Sequence, residues 1–326
     1  MRRIAASSLL VPLAACVALS ACGSSSPAAS SSSNANSAVT VSGTFNSTPQ
    51  VTIPKQAPTA KLAFHTVIKG SGAKLVTGDS TLANVAIYKW TGKKNTLLDS
   101  TYKTGAQLIP PSLGLPGLAT ALQGSTIGSR IVAVLPPKYG YGTSGNSSIG
   151  ITGKDTLVWV LDLLQQYPPD AAASGSHVSQ GGGKLPLVSS PQTGAAPSIV
   201  VPKKSPPSKL SVTTLVKGTG PALKAGDTVV AQYVGANWRT GKVFSQSWPS
   251  STQPQGQPFS FQLGGQVITG WNDGLPGVNV GSRVMLVIPP ALGYGPSGGQ
   301  ASAGIKKNDT LVFVIDVLGV QAPSAS

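Results

Sequence analysis

Residues 281–298 read GSRVMLVIPPALGYGPSG, and residues 128–145 read GSRIVAVLPPKYGYGTSG. Each stretch is an apolar, β-branched run that ends at a Pro-Pro pair and a Gly-Tyr-Gly turn, which is typical of a buried strand followed by a loop. The second stretch begins at position 281 and the first at position 128, an offset of 153. Repetition at this distance predicts two copies of one domain.

The repetition extends to both sides of these stretches. KGSGAKLVTGD from Lys69 matches KGTGPALKAGD from Lys217, an offset of 148. KDTLVWVLDLL from Lys154 matches NDTLVFVIDVL from Asn308, an offset of 154. The growing offset predicts a net insertion of five residues inside the second copy and one more residue after its Gly-Tyr-Gly turn.

Composition divides the chain into five parts. Apolar runs with β-branched residues alternate with Gly/Pro clusters, and each copy has room for one short helix, so we predict an α+β fold of two tandem domains. In each domain an antiparallel sheet would wrap the helix. The predicted parts are a signal peptide (1–21), a Ser/Ala-rich tether (22–47), the first copy (48–167), a flexible Pro/Gly/Ser-rich linker (168–194) and the second copy (195–321).

The N-terminus has the pattern of an export signal. A basic pair, Arg2-Arg3, precedes an apolar run from Leu9 to Leu19 that is too short to span a bilayer, and the sequence LSAC then ends at Cys22. This pattern resembles the lipobox of bacterial lipoproteins, in which Cys22 would be acylated as the first residue of the mature chain. An ordinary signal peptide with an incidental Cys22 is the alternative. We expect an exported protein that a lipid anchors to the extracytoplasmic side of the cell membrane.

The composition also limits the chemistry. The 326 residues include nine acidic residues, all Asp, and two each of His and Cys, which is too few for a structural zinc site or a disulfide framework. We therefore expect no metal and no cofactor. The net charge of +15 would also suit nucleic acid. In an exported protein such a charge favours the anionic envelope, or only solubility, so we expect no nucleic-acid partner.

The second copy contains an ordered series of sequence blocks: GTGPALKAGDTVVAQYVG, GKVF, QPFSFQLGGQVITGWNDGLPGVNVGSR, VIPPALGYGPSG and NDTLVFVIDVL. In these blocks it resembles the FKBP-type peptidyl-prolyl isomerases over nearly its whole length. The resemblance implies a curved antiparallel sheet around a short helix, with an aromatic pocket between them that holds the proline of a substrate. It implies proline-containing unfolded or exported proteins as partners, macrolides as inhibitors and no cofactor.

The family pattern also implies roles for single residues of the second copy. Trp271 would form the floor of the pocket, the Tyr294 hydroxyl would donate a hydrogen bond to a substrate carbonyl, and the Ile268 amide would be a second donor. Ser245 stands where the family usually has Asp. The other implied substrate-binding residues are Tyr233, Phe244, Phe259, Val267, Ile305 and Phe313.

The first copy departs from this pattern at its aromatic positions. It keeps an acidic residue at the family's Asp position, but a leucine stands opposite Trp271. We therefore predict a degenerate pocket that is weakly active or non-catalytic. Its residues would be Leu98, Asp99, Leu118, Tyr141, Ile151 and Trp159.

The chemistry that the resemblance implies suits this composition. Rotation about an X-Pro bond needs no nucleophile, metal or proton shuttle, because an apolar pocket disfavours the planar, more polar amide relative to the twisted one. We predict a peptidyl-prolyl cis-trans isomerase that assists the folding of exported proteins, with most activity in the second copy. The alternative is a pair of non-catalytic modules that hold unfolded or proline-rich clients at the envelope.

Overall fold

The fold is that of a computed structural model, which describes residues 35–111, 113–180, 183–189, 194–251, 256–265 and 267–323. The predicted signal peptide, the lipid-anchor position Cys22 and the first part of the predicted tether lie outside these ranges. Within them, no helix has the length and apolar character needed to cross a membrane.

The first copy forms one antiparallel sheet with a short helix packed against it. Its elements are β1 (Thr40–Ser42), β2 (Gln50–Thr52), β3 (Ala63–Ile68), β4 (Ser80–Trp90), β5 (Asn95–Ser100), β6 (Gln107–Ile109), α1 (Pro116–Leu122), β7 (Arg130–Leu135) and β8 (Thr156–Tyr167). The sheet order is β3-β7-β8-β4-β5, and β6 also pairs with β4. β1 and β2 form a separate hairpin.

The second copy repeats this arrangement. Its elements are β9 (Ser176–His177), β10 (Leu187–Val188), β11 (Ile199–Val200), β12 (Ser211–Lys217), β13 (Thr228–Asn237), β14 (Val243–Gln246), β15 (Phe259–Gln262), α2 (Thr269–Gly274), β16 (Arg283–Ile288), β17 (Gly299–Gln300), β18 (Ile305–Lys306) and β19 (Leu311–Gln321). The sheet order is β14-β13-β19-β16-β12-β9, and β15 also pairs with β13. The order of the first copy therefore recurs, with β9 added at one edge.

The central strand of each sheet, β8 or β19, is mostly apolar because both of its faces are covered. In β19, Phe313 and Ile315 belong to the core on the helix side, whereas Val312 and Val314 belong to a second core on the opposite side. The hairpin β10–β11 covers that outer face, and β1–β2 covers the outer face of the first copy. Alternating side chains of one strand thus supply two cores.

Parts of the predicted tether and linker belong to the folded structure. β1 lies within the predicted tether, and β9 and β10 lie within the predicted linker. Composition does not reveal that these segments are folded, because hydrogen bonds to their main-chain groups supply much of the interaction that holds them. The guanidinium of Arg130 donates hydrogen bonds to the main-chain oxygens of Gly43, Thr44 and Ser47, at 3.1, 2.9 and 2.8 Å.

In each copy a buried ion pair lies next to a covering segment, which is residues 43–47 of the predicted tether in the first copy and the predicted linker around Ala173 in the second. Nε of Arg130 is 2.6 Å from Oδ1 of Asp162, and neither side chain is exposed. Arg283 and Asp316 form the same pair in the second copy, also at 2.6 Å. Buried charges are tolerated only when their hydrogen bonds are satisfied. The covering segments help to satisfy them, through the carbonyls around Arg130 and through the amide of Ala173, which donates to Oδ2 of Asp316 at 2.8 Å.

Candidate functional site

A cavity of about 600 Å³ opens in the second copy, where α2 and the loops around it face strands β13, β14, β15 and β19. Aromatic rings form most of its wall, so the space is apolar with a few polar groups at its border. The lining residues are Tyr233, Phe244, Ser245, Phe259, Val267, Ile268, Trp271, Tyr294, Gln300, Ala303 and Phe313.

Trp271 of α2 forms the base of this cavity. It is 3% exposed, and its ring centroid lies 5.2 Å from that of Phe261, 5.2 Å from that of Phe313 and 5.7 Å from that of Tyr233. The three contacts are edge-to-face or nearly so, an arrangement worth about 0.5–1.5 kcal/mol per pair beyond burial. α2 approaches the sheet closely because residue 270 is glycine: a Cβ at Gly270 would lie 2.5 Å from the Ile288 side chain. The indole is therefore fixed in place.

A second glycine provides the room for two of the wall rings. A Cβ on Gly235 would lie 2.7 Å from Cζ of Phe244 and 2.8 Å from Cε1 of Phe313. The two rings meet edge-to-face with their centroids 5.6 Å apart. Gly235 thus lets both rings lie against the bare backbone of β13.

Besides the buried indole N–H of Trp271, two further hydrogen-bond donors at the cavity have no acceptor among the described residues. One is the hydroxyl of Tyr294, and the other is the main-chain N–H of Ile268, at the residue that precedes α2. Burial, together with the nearby Tyr233, raises the pKa of the Tyr294 phenol above its ordinary value of 10.0. The phenol therefore keeps its proton at neutral pH. The Tyr233 hydroxyl is engaged instead, with Oγ of Ser245 at 2.9 Å.

The cavity brings together all of the predicted pocket residues of the second copy except one. Ile305 does not line it; it is buried in the core and pairs with Gln300 between β17 and β18. Gln300 and Ala303, which line the cavity, were not predicted. Their only sequence signal is the extra residue after the Gly-Tyr-Gly turn, which shows that the loop differs between the copies but not where its side chains lie.

The matching cavity of the first copy is smaller, at about 280 Å³. One difference lies at Ile87, which pairs with Trp159 and Asp99 as Gly235 pairs with Phe313 and Ser245. A branched side chain therefore stands where, in the second copy, the Phe244 and Phe313 rings lie against a glycine. Leu118, expected at this pocket, is buried in the core and does not line the cavity. The lining residues are Ile87, Leu98, Asp99, Tyr141, Ile149, Ile151, Leu157 and Trp159.

Comparison with known proteins identifies the family. The family described as FKBP-type peptidyl-prolyl cis-trans isomerase matches residues 79–164 and 220–318, one match in each copy and together more than half of the chain. The chain belongs to this family. Its enzymatic class is therefore that of the FKBP-type peptidyl-prolyl cis-trans isomerases, a name that relatives from Haemophilus influenzae and Escherichia coli carry.

Two bacterial relatives have about the length of a single copy. The FK506-binding protein of Streptomyces anulatus is 41% identical over 125 residues, which are 38% of this chain and 96% of the relative. The probable FK506-binding protein of Corynebacterium glutamicum is 38% identical over 123 residues, which are 37% of this chain and 96% of the relative. The crystal structure of FkpA from Escherichia coli is 40% identical, covering 36% of this chain and 49% of that chain with a TM-score of 0.30.

Proposed function

We propose that the aromatic cavity of the second copy is the active site and that it isomerises X-Pro bonds of exported proteins as they fold. The observation that carries this proposal is the combination of groups in the cavity. A rigid apolar base at Trp271 lies beside two hydrogen-bond donors, the Tyr294 hydroxyl and the Ile268 amide. Neither donor has an acceptor among the described residues. An apolar space alone would bind proline. Hydrogen-bond donors without an acceptor at its border can in addition favour one geometry of the prolyl amide.

The mechanism follows from the electronic structure of the amide. Rotation faces a barrier of about 18–20 kcal/mol because the nitrogen lone pair is conjugated with the carbonyl. The planar amide is more polar than the twisted one, so transfer from water into an aromatic cavity disfavours the planar ground state more. The aromatic wall would hold the pyrrolidine ring while the carbonyl turns. Donors directed at the turned carbonyl, from Tyr294 and Ile268, would stabilise the transition state specifically.

We propose that the first copy contributes little catalysis. Its cavity has less than half the volume of the other, and it has Leu118 in place of the aromatic base and Ile87 in place of a glycine. Binding of small apolar side chains is the function that such a site supports, with Asp99 at its border as the only acidic group among its lining residues.

We also propose export and lipid anchoring at Cys22. The support is the order of the N-terminal sequence, a basic pair followed by a short apolar run and then LSAC. Mass spectrometry of the mature N-terminus tests this proposal directly. A diacylglyceryl adduct on Cys22 is the expected result, and an unmodified N-terminus at or beyond position 22 would contradict it.

The test of the catalytic proposal is a protease-coupled isomerisation assay of a short X-Pro peptide with the full chain. Trp271→Leu gives the second copy the residue of the first, and we expect it to remove most of the acceleration. Leu118→Met, a volume-conserving change at the equivalent buried position of the first copy, is the control and should leave the rate unchanged. Absence of acceleration by the unaltered chain would overturn the proposal.

Inhibition provides a second readout of the same cavity. We expect macrolides such as rapamycin or tacrolimus to inhibit the unaltered chain, because they would fill the apolar space that receives proline. Trp271→Ala should abolish that inhibition. Inhibition that persists in this variant would place the macrolide outside the cavity.

Client binding without appreciable catalysis is the second candidate function. Ser245 favours it, because a neutral hydroxyl replaces the carboxylate that the family usually has and is already bonded to Tyr233. Binding of an unfolded client that survives both Tyr294→Phe and Trp271→Ala would support this candidate. Loss of client binding together with isomerase activity would favour the catalytic one.

A further inference from the structure

The two copies pack against each other through equivalent surfaces. One apolar cluster contains Leu82 and Leu164 of the first copy together with Val230 and Leu318 of the second. Leu82 is equivalent to Val230 at the offset of 148, and Leu164 is equivalent to Leu318 at the offset of 154. A surface that meets its own counterpart is the arrangement of a two-fold symmetric dimer. The two copies therefore contact each other, within one chain, as the subunits of a homodimer would; we call this the inter-copy contact.

The inter-copy contact brings together two equivalent edge strands. Leu82 of β4 pairs with Leu108 of β6, and Val230 of β13 pairs with Ser260 of β15. Among the described residues, β6 pairs only with β4 and β15 only with β13, and β6 and β15 lie against each other. A strand of four residues with one hydrogen-bonded neighbour opens easily. The first copy thus gives β15 a support that its own sheet does not provide.

A glycine allows the inter-copy contact to be close. A Cβ at Gly319 of β19 would overlap the hydroxyl oxygen of Tyr167, at the end of β8, and would lie 2.9 Å from Cζ of the same ring and 3.2 Å from Oε1 of Gln165. Tyr167 is 3% exposed, and its hydroxyl donates a hydrogen bond to Oε1 of Gln165 at 2.8 Å. All three of these atoms belong to the first copy, so the bare backbone of Gly319 serves the contact between the copies.

The segment that follows Tyr167 is attached to the second copy. Nε2 of Gln232 donates a hydrogen bond to the main-chain oxygen of Pro169 at 2.8 Å, and the amide of Ala173 donates to Oδ2 of Asp316 at 2.8 Å. Gln232 and Asp316 are both fully buried. The beginning of the predicted flexible linker therefore holds the two copies together.

We propose that the inter-copy contact holds β15 in place and that the first copy thereby positions the wall of the cavity in the second. β15 begins with Phe259, whose ring centroid lies 5.8 Å from that of Tyr233 and 5.6 Å from that of Phe261, so a shift of β15 moves part of the wall. Phe259 is 40% exposed, and packing inside the second copy therefore holds it only in part. The inference rests on the proposed function in so far as the cavity is where proline binds. It gives the first copy, with its smaller cavity, a role in the catalysis of the second.

The experiment compares amide hydrogen exchange in the full chain and in its Gly319→Ala variant. We expect exchange in residues 259–262 to become about tenfold faster, within the range that overpacking of a close contact produces. Residues 211–217, toward the other edge of the same sheet, should keep their rate. The matched control is Gly265→Ala, at an exposed residue of the same copy where a Cβ would lie 3.8 Å from Oε1 of Gln262, an ordinary contact distance; it should change neither rate.

A second variant shows whether the effect arises at the inter-copy contact. Tyr167→Leu removes the hydroxyl and the ring atoms that the new methyl group of Gly319→Ala would meet. The two changes are therefore coupled, and the double variant should show the exchange of Tyr167→Leu alone. In the isomerisation assay, Gly319→Ala should raise KM about threefold and leave kcat unchanged, because the Phe259 ring contacts the substrate but donates no hydrogen bond to the turned carbonyl.

Three outcomes would overturn the inference. The first is unchanged exchange in residues 259–262 of Gly319→Ala. The second is equal acceleration in residues 211–217 and 259–262, which would mean that the whole second copy is destabilised. The third is an unchanged KM in a variant whose β15 exchanges faster, which would mean that the strand is supported without effect on the cavity. Absence of isomerisation by the unaltered chain would instead refute the catalytic proposal, and the exchange rates would still decide whether the first copy holds β15.

Discussion

Gly235→Ile should close the cavity of the second copy. The substitution places on β13 the residue that the first copy has at the equivalent position, Ile87. Even a Cβ at position 235 would lie 2.7 Å from Phe244 and 2.8 Å from Phe313, so the larger side chain must displace both rings. They can move only into the cavity or toward Trp271, and either movement removes the space for a proline ring.

The loss of activity can be estimated from the apolar groups of the substrate that can no longer be buried in the cavity. A proline ring has three methylene groups, and each contributes about 0.8 kcal/mol when it is buried, or about 2.4 kcal/mol together. At about 1.4 kcal/mol for each tenfold change, kcat/KM should fall about 50-fold. Overpacking also lowers the free energy of unfolding by about 1–3 kcal/mol, so the protein must be shown to be folded at the assay temperature.

The assay is protease-coupled isomerisation of a short X-Pro peptide, with folding checked by urea titration of the same preparation. Val243→Ile on the adjacent strand β14 is the control, because that side chain is 49% exposed and should change neither activity nor stability. Gly235→Ala should give an intermediate loss. If folded Gly235→Ile retained the kcat/KM of the unaltered chain, the cavity would not be where proline binds.

Three further predictions concern single polar groups. Tyr294→Phe should lower kcat/KM about two- to tenfold, which is the contribution of one neutral hydrogen bond. Because the pKa of the Tyr294 phenol is raised, the activity of the unaltered enzyme should not fall through phenol ionisation up to about pH 9. Asp309→Asn should lower the free energy of unfolding by about 1–2 kcal/mol at pH 7, as measured by urea titration. Hydrogen bonds from Arg239 hold the pKa of Asp309 well below its ordinary 3.8, so this stabilisation is present above about pH 4 and lost as the pH falls further; a difference between variant and unaltered chain that stayed constant to pH 3 would contradict it. Arg130→Met should cost about 3–5 kcal/mol because it leaves Asp162 buried without its partner, whereas the double change with Asp162→Leu should recover most of that loss.

The sequence contains enough to predict the repeat, an antiparallel sheet with one short helix in each copy, and most of the cavity wall. The ordered blocks shared with the family fix which strand each residue belongs to, and the period of two along a strand then decides its face. Tyr233 and Phe313 face the cavity for this reason. Ile305 shows the limit of such carry-over, because its side chain is buried in the core and does not line the cavity.

Other features depend on distances that no sequence pattern expresses. Gly235 is one glycine among 39, and its importance arises only because two rings lie against it in space. The folded part of the tether is similar: composition measures apolar side chains, whereas the segment around Thr44 is held largely by its carbonyls, which every residue has. Arg130 provides the donors, and an arginine within an apolar run gives no indication of which segment it will contact.

The two differences between the cavities, Leu118 in place of Trp271 and Ile87 in place of Gly235, compensate for each other in volume. Replacing an aromatic base by Leu118 removes much of the volume that an indole occupies, and an empty space of that size in a core would cost several kcal/mol. Ile87 adds a branched side chain to the same side of the sheet, where Gly235 has none. The first copy is therefore a repacked domain whose apolar volume was moved from the helix to the strand. Changing either residue alone toward the second copy would leave a void or a clash, so a gain of isomerase activity in the first copy requires both Ile87→Gly and Leu118→Trp.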